Sequence, residues 1–292
     1  MENPLVTVYI PTYNRKFLLE RAILSVINQT YYNIEVIVVD DGSIDGTREL
    51  LVAMAKKDNR IRYYFKQINS GACKSRNIAI ENARGFFITG LDDDDYFEKN
   101  RVENFVHYFF NCNDTPVFLF SNIIVKKEEN KFIINSLGDK FKKEKVFSKD
   151  ILYNNYITNQ IFIETSVLKE IGFDEEMPMW QDIECWYHIL SKTKGYALNI
   201  KKYSYVHDIS HPFERISNFK LEKGLKAFNR FSEKHHLNEY QKEILFSHLY
   251  NNDPKLINVF VLLKKLVNHF NIFDLKRILL YFKLKLSGFF KG

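Results

Sequence analysis

Short apolar runs alternate with segments of helical spacing along the first hundred residues of the chain. Four runs of five or six largely apolar residues predict strands at 5–10, 35–39, 61–65 and 86–91. Apolar positions three and four residues apart predict helices between them, at 18–27, after residue 45 and at 74–83. This alternation is typical of an α/β protein in which a mainly parallel sheet is flanked by helices.

Beyond residue 115 the alternation is less regular. The pattern predicts strands at 117–120, 131–135 and 196–200, a helix at 182–191, and loops at 139–145 and 205–208. From about residue 217 the sequence is helical and increasingly basic. We therefore expect an α/β domain at residues 1–212 and a helical, basic C-terminal extension at 213–292.

The composition favours a globular protein of a reducing compartment. Hydrophobic residues make up 46% of the chain and charged residues 27%, which is a globular rather than a disordered balance. The three cysteines, Cys73, Cys112 and Cys185, are widely spaced and form no C-x-x-C pair, so they predict neither a disulfide framework nor a zinc cluster. The N-terminus enters the first predicted strand without a basic and apolar leader. We therefore expect a cytoplasmic protein.

The net charge of +6 is concentrated in the C-terminal tail, where residues 254–292 carry eight Lys or Arg and one acid. A basic tail on a near-neutral body favours contact with an anionic surface and argues against nucleic-acid binding. Five apolar residues of 272–286 share one helical face: Leu275, Ile278, Leu279, Phe282 and Leu286. Four basic residues lie beside that face: Lys276, Arg277, Lys283 and Lys285. Such a helix binds a membrane surface or packs its apolar face onto the protein, and the sequence leaves both open.

Carboxylates follow two of the predicted strands. Asp41 comes directly after the second strand, and the run 92–95 consists of four aspartates after the fourth. In open α/β sheets, ligands bind at the carboxyl ends of the strands. Four adjacent carboxylates repel one another unless a cation neutralises them, and oxygen ligands select Mg²⁺ or Mn²⁺. The run therefore predicts a metal that bridges to a diphosphate, and the alternative is an acidic, solvated turn.

Neither G-x-G-x-x-G nor G-x-x-x-x-G-K-[ST] occurs in the sequence, so the glycine-rich phosphate loops of dinucleotide-binding and P-loop proteins are absent. Phosphates would have to be held by a metal and by arginine. Arg76 follows the turn at 69–71 and is a candidate, because guanidinium binds phosphate in a bidentate manner and stays charged.

The order of these motifs resembles the inverting family 2 glycosyltransferases. The resemblance covers roughly residues 4–210 and rests on LVTVYIPTYNR at 5–15, SVINQT at 25–30, VVDDGS at 38–43, NSG at 69–71 with RN at 76–77, and LDDDD at 91–95. It implies the GT-A nucleotide-sugar-binding fold, a catalytic domain at residues 1–212, a UDP-sugar donor, Mn²⁺ or Mg²⁺ as cofactor, and inversion at the anomeric carbon.

The same resemblance implies the site residues. The donor site would be lined by Pro11, Thr12, Tyr13, Arg15, Asp41, Arg76, Asp92 and Asp93. Tyr13 would lie near the base and Asp41 would accept from the uracil imide. Asp94 would bind the metal, although a shift by one position within the four aspartates matches almost equally well. His207 would complete the metal site, and His211 competes with it.

Inverting transfer needs a general base for the acceptor hydroxyl. In the family, it is usually the aspartate of a Glu-Asp pair that opens a late helix, which makes Asp182 the candidate. The chain departs from the family pattern at Gln181, and Glu184 is an alternative base. On local sequence alone, Asp182 is also a plausible helix cap. Trp180 could stack on an acceptor sugar, although tryptophan more often packs in a core.

The sequence thus predicts a metal-dependent hexosyltransferase that acts on a saccharide or lipid-linked saccharide in O-antigen, capsule or lipopolysaccharide synthesis, peripheral on the inner face of the cell membrane. One alternative is a catalytically silent nucleotide-sugar-binding module, which Gln181 alone favours. The other is a nucleotidyltransferase, which normally needs a glycine-rich basic loop that residues 11–15 lack.

Overall fold

The structure is a computed structural model and describes residues 3–113, 115–134, 143–157, 160–212, 220–251, 254–268 and 272–286. These residues group into two compact units. Unit 1 comprises residues 1–148, 156–175 and 181–213, and unit 2 comprises residues 149–155, 176–180 and 214–292. The predicted boundary at 212/213 adjoins a segment outside the described residues, and the division into domains at that point stays a prediction.

Unit 1 is built on one mixed sheet. Its strands are β1 Val6–Thr12, β2 Ile34–Asp40, β3 Ile61–Phe65, β4 Phe87–Gly90, β5 Tyr96–Phe97, β6 Phe118–Glu128, β7 Lys131–Ile133, β8 Lys145–Phe147, β9 Phe162–Glu164 and β10 Tyr196–Asp208. Its main helices are α1 Lys16–Ile27, α2 Thr47–Lys57, α3 Ala72–Glu81, α4 Arg101–Asn111, α6 Thr165–Ile171 and α7 Gln181–Thr193. The strands run in the order β3-β2-β1-β4-β9-β6-β10-β5, with β7 on β6 and β8 on β10.

The predicted α/β class with flanking helices is confirmed. The neighbours β3, β2, β1 and β4 are parallel, and all seven residues of β2 are buried, as a strand covered on both faces requires. Beyond β4 the sheet becomes mixed, because β9 is antiparallel to both β4 and β6. β6 therefore runs in the same direction as β4, and β10 is parallel to β6. The carboxyl ends of β1, β2, β4 and β10 thus lie at one edge of the sheet.

One predicted element is wrong, and another ends one residue earlier than predicted. Residues 205–208 are not a loop but the end of β10, which runs on from the predicted strand at 196–200. The alternating pattern of a single long strand is interrupted because Lys201 takes a positive φ of 56° and the register with β6 shifts between Asn199 and Tyr205. Lys145 belongs to β8 rather than to a surface loop, and residues 139–142 of that predicted loop lie outside the described residues.

Aromatic rings fill the middle of the unit 1 core. Phe105 on α4 stacks on Phe162 of β9 with the ring centroids 5.1 Å apart, and Phe162 in turn lies 4.6 Å from Phe87 of β4. Trp186 of α7 is fully buried between Phe118 and Phe173. These contacts fix β9 and α7 beside the parallel strands and so hold the edge that carries the carboxylates.

Unit 2 is helical in its described part. It contains most of α5 Ser148–Tyr153, together with α8 Leu221–Lys234, α9 Glu239–Phe246, α10 Val259–Asn268, α11 Ile272–Leu286 and two short 3₁₀ turns at Leu249–Asn251 and Pro254–Leu256. Helix α9 begins with a capping box between Asn238 and Gln241. Among the described residues, no helix combines the length and apolar character needed to cross a bilayer.

Candidate active site

The four aspartates after β4 form a tight turn that separates their side chains. The backbone N–H of Asp95 donates to the carbonyl of Asp92 at 3.0 Å, which closes a turn over 92–95. The first and last carboxylates of the turn face different partners, with Asp92 near Arg76 and Asp95 near β10. The mutual repulsion predicted from the sequence is therefore relieved by the chain's own donors and cations.

Asp93 and Asp94 share one guanidinium. Arg15 Nη1 lies 2.9 Å from Asp93 Oδ1 and 2.9 Å from Asp94 Oδ2, and the Thr12 hydroxyl donates to Asp93 Oδ2 at 2.8 Å. Burial raises the pKa of Asp93 to about 7 against the opposing effect of Arg15. Thr12 and Arg15, both predicted donor-site residues, are thus brought onto the aspartate turn.

Asp95 anchors the end of β10. It is fully buried and accepts hydrogen bonds from the Tyr205 hydroxyl at 2.7 Å and from the backbone N–H of Asp208 at 2.9 Å. His207 Nδ1 lies 3.1 Å from the same carboxylate. Burial raises the pKa of Asp95, and the neighbouring His207 counters that rise. The sequence placed Asp95 in the predicted metal-binding run without a separate role, and its hydrogen bonds show that it fixes the position of His207.

The structure pairs the two candidate histidines with different aspartates. His211 Nε2 lies 3.4 Å from Asp94 Oδ2, whereas His207 contacts Asp95 rather than Asp94. Within the described part of the chain, no three His, Cys, Asp or Glu side chains are grouped to hold a metal by themselves. Mg²⁺ characteristically takes one or two carboxylates and completes its shell with water and substrate phosphates. Asp94 could supply one such carboxylate, and His211 lies beside it.

Asp41 is tied into the loop at 69–71. Its two carboxylate oxygens accept from the backbone N–H groups of Ser70 and Gly71, each at 2.9 Å, and Lys66 forms an ion pair with it. Gly71 has a φ of 96°, which explains the glycine at this position. A carboxylate offers about four lone pairs, so Asp41 retains acceptor capacity toward a ligand.

Pro11 lies near the end of β1, and the loop after β1 carries Tyr13 and Asn14 at the same edge. Asn14 has a φ of 51°, its N–H donates to the Ser43 hydroxyl at 2.8 Å, and its side chain accepts from the Ile44 N–H at 2.9 Å. These bonds join the loops after β1 and β2. The Tyr13 side chain is 44% exposed, which leaves its ring open to a flat ligand.

Arg76 links Asp92 to the start of α7. Its guanidinium donates to Gln181 Oε1 at 2.9 Å and to Asp92 Oδ1 at 3.2 Å, and it lies over the ring of Phe173. Burial disfavours its charge, but Asp182 and Asp92 more than offset this effect, so the pKa of Arg76 lies above its usual value. Gln181, the departure from the family pattern, is therefore a direct partner of Arg76.

Gln160 is a site residue that the sequence did not indicate. Its Nε2 donates to Asp92 Oδ1 at 3.3 Å, and its Oε1 accepts from the buried Tyr9 hydroxyl at 3.4 Å. The close approach requires Gly90, because a Cβ there would lie 2.0 Å from Gln160 Oε1. No motif surrounds Gln160, and only the pairing of β9 with β4 brings it to the site.

Asp182 lies in the first turn of α7, and one of its carboxylate oxygens is buried. Its side chain is partly buried, and its Oδ1 has no hydrogen-bond partner among the described residues. Burial raises the pKa of Asp182 to about 7, Arg76 acts against the rise and Asp92 adds to it. A carboxyl that titrates near neutral pH is suited to take a proton.

The competing residues on and before α7 have other surroundings. Glu184 is fully buried, so an acceptor hydroxyl reaches Asp182 more readily. Trp180 precedes the helix with a φ of 63°, a conformation that bulky residues seldom take. Its ring lies 5.7 Å from that of His248 in unit 2, and its role toward an acceptor stays a prediction.

A model of glycosyl transferase family 2 matches residues 7–172 of the chain. The putative colanic acid biosynthesis glycosyl transferase WcaA of Escherichia coli K12 is 34% identical over 234 residues, which are 80% of this chain and 82% of that protein. A Campylobacter jejuni protein named GalNAc(5)-diNAcBac-PP-undecaprenol beta-1,3-glucosyltransferase is 32% identical over 176 residues, 59% of this chain and 56% of its own length.

Solved structures share the fold. Residues 1–349 of Staphylococcus aureus TarS, in complex with UDP-GlcNAc, superpose with a TM-score of 0.67 at 20% identity, over 97% of this chain and 92% of that one. The mannosyltransferase PcManGT of Pyrobaculum calidifontis, in complex with GDP-Man and Mn²⁺, gives a TM-score of 0.62 at 18% identity, over 97% and 80% of the two chains. The predicted GT-A fold is thereby confirmed.

Proposed function

Because the chain belongs to glycosyl transferase family 2, we propose that unit 1 transfers a hexose or N-acetylhexosamine from a UDP-sugar to a saccharide or lipid-linked saccharide, with inversion. The observation that carries this proposal is the arrangement of Asp182. Its buried Oδ1, which has no hydrogen-bond partner among the described residues, and its pKa of about 7 accompany a buried arginine that also contacts Asp92. The family relation supports a glycosyltransferase over the nucleotidyltransferase alternative.

The relatives support the choice of donor and acceptor class. The Campylobacter jejuni relative is named for a substrate linked through a diphosphate to undecaprenol, and the Escherichia coli relative is named for colanic acid synthesis. A structural neighbour binds UDP-GlcNAc. We therefore assign the chain to bacterial surface-polysaccharide synthesis, of the O-antigen, capsule or lipopolysaccharide kind, on a lipid-linked acceptor at the inner face of the membrane.

On the donor side, each predicted residue would contact a different part of the nucleotide sugar. Tyr13 would lie against the base and Asp41 would accept from its imide. Asp94, with His211 beside it, would hold Mn²⁺ or Mg²⁺, and His207 would be oriented by Asp95. A metal bound there would offset the negative charge of the diphosphate leaving group. Thr12, Arg15 and Asp93 would line the sugar and ribose side.

On the acceptor side, Asp182 would take the proton. The acceptor oxygen forms a bond to the anomeric carbon, the bond from that carbon to the diphosphate breaks, and the hydroxyl proton passes to the Asp182 carboxylate. Arg76 would keep Asp182 ionised near neutral pH, because its charge opposes the rise in pKa that burial causes. Gln160 and Gln181 would hold Asp92 and Arg76 in place.

A donor panel tests the proposal at its first step. Calorimetric titration of the purified chain with UDP-, GDP- and dTDP-sugars, each with Mn²⁺, Mg²⁺ or EDTA, is expected to give binding of a UDP-sugar that EDTA weakens. Asp94→Asn is expected to remove most of the increase in UDP-sugar affinity that the metal causes. Asp58→Asn, which alters an ion pair with Arg60, is the control that keeps this increase. If no nucleotide sugar binds in any metal condition, the proposed activity fails.

Gln181 favours the alternative of a catalytically silent nucleotide-sugar-binding module, because it places a neutral side chain where the family commonly has an acid. Such a module would bind the donor in this panel and show no turnover with any acceptor or with water. Release of UDP at a measurable rate would exclude it.

A further inference from the structure

Helices α10 and α11 bury three charged side chains and leave several large apolar side chains exposed, which is unusual for a surface helix. Lys265, Asp274 and Arg277 are buried, with Arg277 Nη1 2.7 Å from Asp274 Oδ1 and Lys265 Nζ 3.4 Å from Asp274 Oδ2. The Ser247 hydroxyl accepts from Lys265 at 2.8 Å. Arg277, predicted beside the exposed apolar face, therefore lies inside this polar network, which corrects that prediction.

The apolar stripes of the two helices remain exposed. On α11, Ile278 is buried, but the other members of the predicted face are exposed: Leu275, Leu279, Phe282 and Leu286. Leu286 is 90% exposed. On α10, Phe260, Leu263 and Val267 form a second exposed stripe at helical spacing, with Phe260 85% and Val267 87% exposed.

Lysines border both stripes. Lys264 is exposed beside Phe260 on α10, and Lys276, Lys283 and Lys285 are exposed along α11. Residues 254–286 contain a single acid, Asp274, and it is buried with Lys265 and Arg277. The exposed surface of the two helices thus combines large apolar side chains with positive charge that no exposed acid of the same segment offsets.

We propose that α10 and α11 form a docking surface for an anionic lipid bilayer, in which both stripes enter the interface and the lysines contact anionic headgroups. Apolar area and basic charge on one helix surface are the two features that bind interfacial helices to such bilayers. The inference deepens the membrane part of the proposed function, and it adds α10, which the sequence pattern did not assign. A lipid-linked acceptor would then be met in the plane of the membrane.

Vesicle co-sedimentation of the full chain tests this surface. The protein is expected to bind vesicles of phosphatidylglycerol and phosphatidylcholine at least tenfold more tightly than vesicles of phosphatidylcholine alone. Lys276→Gln with Lys283→Gln is expected to weaken binding about 25-fold, at about fivefold per lysine near the surface. The double variant Leu279→Ser with Phe282→Ser on α11 should also weaken binding to the anionic vesicles. Phe260→Ser on α10, measured separately, should weaken this binding too.

The control is Lys223→Gln with Leu225→Ser on α8, two exposed residues outside these helices, which should bind as the unaltered chain does. Equal binding to both vesicle types, or unchanged binding of the α11 variants, would overturn the proposal. Unchanged binding of Phe260→Ser would show that α10 is not part of the docking surface. If the stripe variants instead convert a dimer to a monomer in sedimentation velocity, the surface is a self-association face. Calorimetric UDP-sugar binding, measured without vesicles, separates this result from failure of the proposed activity and shows that the variants fold.

Discussion

Asp182→Asn is expected to lower kcat by about 10²- to 10⁴-fold, the usual contribution of a general base, and to leave UDP-sugar affinity essentially unchanged. The reason is that asparagine keeps the shape of Asp182 but cannot take the acceptor proton. The measurement is UDP release at saturating donor with an acceptor, beside calorimetric donor binding. Asp58→Asn should retain full activity, because the Asp58 carboxylate pairs with Arg60 in the connection between α2 and β3.

The pH profile gives the same test in the unaltered enzyme. A base must be ionised to act, so with a pKa of about 7 the rate is expected to rise as the pH rises through 7 and then to level off. The rise should disappear in Asp182→Asn. A variant that keeps both the rate and the pH dependence would remove Asp182 from this role and make Glu184 the next residue to test.

Arg76→Met is expected to lower the free energy of unfolding by about 3–5 kcal/mol, the cost of breaking a buried ion pair by removing one partner. The loss arises because Asp92 and Gln181 each lose one donor and Asp182 loses the nearby positive charge. Unfolding in guanidinium chloride measures it. Arg60→Met removes a more exposed arginine from its pair with Asp58 and should cost at most about 1 kcal/mol.

Arg76 also has a predicted effect on catalysis that a purely structural residue would not have. Because Arg76 lowers the pKa of Asp182, its removal should move the midpoint of the pH–rate profile to higher pH. Arg76→Lys keeps the positive charge and should restore much of the original midpoint. An unchanged midpoint in a folded Arg76→Met protein would show that Arg76 does not tune the base.

The parallel half of the sheet could be predicted from the sequence because its strands are buried on both faces and appear as continuous apolar runs. β2, for example, was predicted at 35–39 and spans Ile34–Asp40. The mixed half of the sheet was harder to predict from the sequence. A three-residue strand such as β9 is too short to show a strand pattern and is defined by its pairing with β4 and β6. β10 was truncated by its irregular register near Lys201.

In the site, too, local motifs predicted some residues, whereas others are brought in only by long-range contacts. The positions of Thr12, Arg15 and Arg76 at the aspartate turn follow from strand order, which the motifs indicated. The partner of each aspartate depends on the turn at 92–95, so the pairing of His211 with Asp94 had no local signal. Gln160 likewise reaches Asp92 only through the fold.

The central claim is that the chain turns over a nucleotide sugar. The most direct measurement is release of UDP from UDP-GlcNAc, UDP-glucose and UDP-galactose by the purified protein with Mn²⁺, with and without an undecaprenyl-diphosphate-linked saccharide, beside the Asp182→Asn variant. We predict that one donor is consumed, that the acceptor accelerates its consumption, and that the variant binds this donor without consuming it. Equal UDP release by the two proteins, or none by either with any donor, would contradict the account.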